Sequence, residues 1–159
     1  MKKFTIQFVG LIIVILVALL FYTGKAPIIP FAPQTNRQSI VSINDTKIKV
    51  DIADTKEKRT KGLGGREKLA SDEGMLFVFE RQDKYPFWMK GLKFPLDFIW
   101  IRDDSVVDII QNAQIPDEGA SDESLPIYLS REPIDKVLEV NTGVVDILKI
   151  KVGDTIKLE

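Results

Sequence analysis

Trp88, Lys90 and Asp97 fall close together in YPFWMKGLKFPLDFIWI, residues 85–101. An aromatic plate beside an ammonium group can hold a sugar ring, an aromatic or an anion. Phe87 and Met89 alternate with Trp88 and Lys90, so in an extended segment the tryptophan and the lysine share a face. The competing reading makes Trp88 part of the core and lets Lys90 reach out to water. In LDFIWI, alternation sets Leu96, Phe98 and Trp100 on one side and Asp97, Ile99 and Ile101 on the other. An acid among isoleucines needs a base or a hydrogen-bond donor, or it takes up a proton. Arg66, Lys90 and Lys93 are the bases that fit. Asp97 is therefore either a general acid–base or ligand-recognising carboxylate, or a structural ion pair or loop anchor.

The chain contains no cysteine and no histidine. Disulfides, thiolate metal sites, cysteine nucleophiles and histidine acid–base chemistry are excluded with them. Catalysis would fall to carboxylates, Lys, Tyr, Ser or Thr. Neither a cofactor nor a metal site is expected. Residues 56–66 are basic and rich in glycine, but the phosphate-cradling spacing G-x-x-x-x-G-K-[ST] is absent. They read as a solvated helix face and its stop, with Arg66 as a residue that could serve a site. Asp117, Glu118, Asp122 and Glu123 lack the regular spacing of a calcium loop and read as solvated. Asn112, at the end of VVDIIQN, either bonds a ligand or satisfies a turn.

The elements that must position these residues are short. IVSIN and TKIKVDIA read as a hairpin turning at Asn44-Asp45. DTKEKRTKGL carries a capping Asp54 or Thr55, then strong helix formers, then Gly62, Gly64 and Gly65. MLFVF, FWMK, LDFIWI, VVDIIQNA, KVLEV and TIKLE read as strands, and NTGVVDILKI as a short helix capped by Asn141 or Thr142. The sum is roughly eight strands and two helices. The expected fold is mainly β (β-rich α+β), a compact antiparallel barrel-like sheet with two short helices, preceded by one N-terminal transmembrane helix.

Phe4 to Tyr22 is apolar except at Thr5 and Gln7, and about 20 such residues cross a bilayer as a helix. Lys2 and Lys3 precede it, which places the N-terminus in the cytoplasm. A cleaved signal peptide is the rival reading, and both export the remainder. The expected division is an anchor over 1–25, a proline-rich tether over 26–38, and an exported β-rich domain over 39–159. The expected location is the cell membrane, single-pass, with the C-terminal domain extracytoplasmic. Three of the chain's 22 bases flank the apolar run, leaving 19 beyond residue 25 against all 23 acids. That balance disfavours nucleic acid as a partner.

The blocks RTKGLGGREKL, DEGMLFVFE, FWMKGLKFPLDFIWI, VVDIIQNAQIP and VLEVNTGVVDILKIKVGDTIKL occur in this order over about residues 45–159. In this the chain resembles the domain of unknown function 192 family, also called uncharacterised protein family 0127. The resemblance implies a small, mainly β domain, often exported, and implies no activity. Gly91-Leu92 stands where many members have Asn-Thr, and Asp117 where many have cysteine, so a thiol role is excluded here.

The functional expectation is a membrane-anchored extracytoplasmic domain binding a small polar ligand or an envelope partner through Arg66, Trp88, Lys90 and Asp97, with Asn112 nearby. One alternative is a carboxylate-dependent envelope hydrolase or lyase with Asp97 as acid–base, for which Glu67, Asp72 and Glu73 are the available second acids. The other is a structural or assembly module.

Overall fold

The computed structural model describes residues 38–159. The expected anchor, and all of the tether but Gln38, lie outside the described residues. No helix among the described residues is long and apolar enough to cross a membrane.

Seven strands form one sheet: β1 (Gln38–Ile43), β2 (Thr46–Ala53), β3 (Glu73–Asp83), β4 (Leu96–Arg102), β5 (Ser105–Ala113), β6 (Ile134–Asn141) and β7 (Ile156–Leu158). Their order across the sheet is β5-β4-β6-β3-β2-β1-β7. β1 and β2 form the expected hairpin, with Asn44 and Asp45 both at positive φ (47° and 63°) as a tight two-residue turn requires. The pairs are antiparallel, as expected, except that β2 and β3 pair in parallel. A parallel pair needs a long crossover, and helix α1 (Lys56–Lys61) with the loop after it supplies one. Thr55 caps α1 by accepting the amide of Lys58 at 3.3 Å, and Gly62, at φ 50°, ends it.

The sheet curls into a half-barrel. Val106 donates its amide to the Asp154 carbonyl (2.9 Å), and Gly153 and Ile156 donate theirs to the carbonyls of Val106 and Asp104 (both 2.8 Å). These bonds stitch the two edge strands together at one end. One apolar cluster takes residues from all seven strands, among them Val41, Val50, Leu76, Ile99, Val106, Leu138 and Ile156, so it fills the inside of the curl. Helix α2 (Val144–Ile147) contributes Val144 and Val145 to it. A second cluster, with Met75, Phe77, Leu96, Phe98, Trp100 and Val137, lies on the other face of the middle strands. There Leu63, Leu69, Phe87 and Met89 cover it from the loops. The alternation expected in LDFIWI is found: Phe98 and Trp100 belong to the second cluster, Ile99 and Ile101 to the first.

FWMK is not a strand. Only Phe87 pairs, with Tyr128, in an isolated bridge, because Pro86 precedes it and Gly91 turns the chain at φ 69°. The second helix also lacks its expected cap. Neither Asn141 nor Thr142 bonds to its amides, and Gly143 occupies the capping position.

β3 and β6 approach closely where Gly74 faces Val140. A Cβ at Gly74 would stand 2.7 Å from the Glu139 carbonyl oxygen and 3.2 Å from side-chain carbons of Leu138 and Val140. Gly74→Ala must therefore push the two strands apart, at an expected cost of about 2 kcal/mol, to be read from urea unfolding.

Candidate functional site

Among the described residues five polar side chains are buried: Asp51, Asp97, Asp108, Ser130 and Glu139. Buried polar groups are almost always hydrogen-bonded, and four of these are. Asp51 pairs with Arg66 at 2.5 Å. Asp97 accepts the amides of Asn112 (2.9 Å) and Val145 (3.1 Å). Asp108 accepts the amides of Ile109 and Arg131 and also meets the Arg131 guanidinium at 3.1 Å. The Ser130 hydroxyl donates to the Glu132 carbonyl. Glu139 is the exception. It is 4% exposed; no hydrogen bond reaches its carboxyl from the described residues, and its oxygens keep a little exposure toward the open cleft. Burial alone, with no opposing charge close enough to compensate, pushes its pKa up to about 8. At neutral pH it is mostly a protonated acid, able both to donate and to accept a hydrogen bond.

Its position follows from the sheet. β6 lies between β3 and β4, and Glu139 faces Met75 on one side and Phe98 on the other. Alternation puts it on the same face as Val137, beneath the second apolar cluster. A cleft of about 260 Å³ between the α1 region and residues 85–92 opens onto that face, and Glu139 is among its lining residues.

The cleft walls are aromatic and basic. Phe79 and Tyr85 stack with centroids 3.6 Å apart and planes 8° from parallel. The Arg59 guanidinium lies 5.1 Å from the Phe79 ring centroid. It is held there by donating to the carbonyls of Asp54 (2.9 Å) and Val78 (2.8 Å). Phe87 meets Phe77 and Trp100 edge-on, at 5.0 and 5.3 Å, which fixes the segment that carries Trp88 and Lys90. The Gly65 amide donates to the Gly91 carbonyl (3.0 Å) and so ties the loop after α1 to the same segment. Trp88 is 47% exposed, whereas Phe87 and Met89 beside it are buried. Lys90 forms an ion pair with Asp122.

Of the residues expected to form a site, Trp88 and Lys90 stand together on this cleft. Asp97 and Asn112 lie together elsewhere, joined by the hydrogen bond already described. The Asn112 side chain bonds with Gln114 (2.6 Å) and Thr142 (3.1 Å). Arg66 is in a third place, a small recess shared with Asp51, Lys49 and Glu73. Glu139 was not among the expected residues. The signal for it was a single acid inside the apolar run VLEV, in a strand whose two faces both carry apolar residues.

No group of three or more acids among the described residues is arranged to hold a metal ion.

Among curated proteins, none matches this chain. The domain is similar to a solved protein from Sinorhizobium meliloti 1021 described as a candidate transcription regulator. Identity is 32% and the TM-score 0.69, over 77% of this chain and 95% of that one. It is similar also to a protein of unknown function from Novosphingobium aromaticivorans DSM 12444, with 30% identity and a TM-score of 0.65, over 80% of this chain and 89% of that one. Residues 39–158 match the profile of DUF192, described as Uncharacterized ACR, COG1430. The chain belongs to the DUF192 family.

Proposed function

We propose that this protein is a membrane-tethered extracytoplasmic binding module that receives a small polar ligand in the cleft above Glu139. The observation that carries the reading is the carboxyl itself. A buried acid that no described residue hydrogen-bonds costs stability, and such costs collect where a ligand supplies the missing partner. The aromatic walls and fixed Arg59 fit the same reading, since binding clefts combine apolar surface with a few placed polar groups. The tether and the export rest on the apolar run at residues 4–22 and the lysines before it.

Hydrolysis by paired carboxylates fits less well. It needs a second carboxyl within about 5–10 Å of the first, and Glu139 is the single acid among the described residues that line the cleft. Asp51 is on the same sheet face two strands away, but it is engaged by Arg66.

The test uses Trp88 as reporter. In the full chain carrying Trp100→Phe, Trp88 is the sole tryptophan, and its emission is followed against a panel of small sugars, carboxylates and amines. Binding by at least one compound, lost on Glu139→Gln, supports the reading. A panel with no response, or responses indifferent to Glu139→Gln, overturns it.

A further inference from the structure

The charge around the cleft narrows the ligand, on the reading of the cleft as a binding site. Four cations among the described residues line it: Lys56, Arg59, Lys61 and Lys90. Lys90 is neutralised by Asp122, and Arg59 is held by two carbonyls and an aromatic ring. Lys56 and Lys61 form no ion pair among the described residues, and both are exposed. They project from one short helix whose loop borders the cleft. Their net field disfavours a cationic guest and attracts an anionic one. At the floor the demand is different. Among the described residues the Glu139 carboxyl has no hydrogen-bond partner, and its neighbours in register are Met75 and Phe98, so an apolar group closing over it would leave it unsatisfied, and a second anion would be repelled once it is ionised. A hydroxyl satisfies it in either protonation state. The half-exposed Trp88 indole also lines the cleft, a flat apolar face suited to the C–H side of a ring.

We infer that the ligand is an anionic saccharide, a pyranose with a hydroxyl on the Glu139 carboxyl, its ring against Trp88, and its carboxylate toward Lys56 and Lys61. A volume of about 260 Å³ limits what enters to one such ring, any further residues extending past the mouth.

The experiment titrates the Trp100→Phe full chain with glucuronate, glucose, glucosamine and benzoate. Glucuronate should bind at least about tenfold more tightly than glucose, and added salt should narrow the gap. Replacing both Lys56 and Lys61 by Gln should cost glucuronate about tenfold and glucose nothing. Glu139→Gln should weaken both sugars. Equal binding of glucuronate and glucose, or preference for glucosamine, overturns the anionic assignment. Benzoate binding without either sugar overturns the saccharide assignment. If all four fail while another member of the wider panel binds in a Glu139-dependent way, this inference falls and the binding site stands. If the whole panel is silent, the binding reading itself falls.

Discussion

Glu139→Gln makes the unliganded domain more stable at neutral pH, and its standing against the parent improves as pH rises. In the unfolded chain the glutamate carries its ordinary pKa of 4.5, whereas in the fold burial holds it near 8. Below pH 4.5 both states keep the proton and the residue contributes no pH-dependent term. Between 4.5 and 8 the unfolded chain releases the proton while the folded one retains it, so stability is lost as pH rises through that window. Each unit is worth about 1.4 kcal/mol, which accumulates to about 3 kcal/mol by pH 7. Gln has no proton to lose. Urea unfolding of both proteins across pH 4.5–8 should therefore show curves that diverge upward, with the variant ahead at neutral pH. The amide still needs partners in the same place, so the difference at pH 4.5 can take either sign, and the slope is the diagnostic quantity. A difference that stays flat with pH would mean that the carboxyl ionises normally in the fold and the cleft is wetter than its lining indicates. The same substitution is expected to weaken binding, the opposition between stability and activity that marks a functional position.

The acid inside VLEV was a signal for this position, but the strand by itself did not decide it. In IDKVLEVN an acid two residues after Val137 looks like the solvated side of a half-exposed strand. Its burial depends on β6 lying between β3 and β4, with Phe87, Met89 and Leu63 delivered onto its face by loops distant in the chain. By contrast, the outward placement of Trp88 and Lys90 was legible because its signal is local: they alternate with Phe87 and Met89, which are buried, and an extended segment separates its two faces wherever it sits. The hairpin at Asn44-Asp45, helix α1 and the two faces of LDFIWI were legible for the same reason. The parallel pairing of β2 with β3 was not, since which strand a crossover returns beside is decided by the assembled sheet. FWMK shows the limit of pattern alone, because alternating burial there comes from one bridge and covering contacts rather than from a ladder.

Asp97 is the clearest case of a residue whose type was legible and whose work was not, and its removal should be among the most damaging changes in the domain. The sheet is irregular beside it: Leu96 faces Ala113 but Phe98 faces Ile110, so β5 bulges opposite Asp97. Asn112 sits in that bulge at φ 56° with its amide turned to one Asp97 oxygen, while the other oxygen takes the Val145 amide at the start of α2. One carboxylate thus holds the bulge and supplies the helix cap that Asn141 and Thr142 do not. Asp97→Ala would orphan two buried amides and leave a void, an expected loss of about 4 kcal/mol. Asp97→Asn keeps one acceptor and turns an NH2 toward the other amide, so about half that loss is expected. Equilibrium unfolding measures both, and hydrogen exchange at Val145 should accelerate in step, because that amide loses its acceptor while most of the sheet keeps its bonds. If Asp97→Asn were instead as stable as the parent and lost only binding or turnover, the anchoring role would be wrong, and the carboxylate would return as a candidate for chemistry. The hydrogen bonds predict otherwise: Asp97 is completely buried and its two oxygens are occupied, whereas no described residue bonds the buried Glu139 carboxyl.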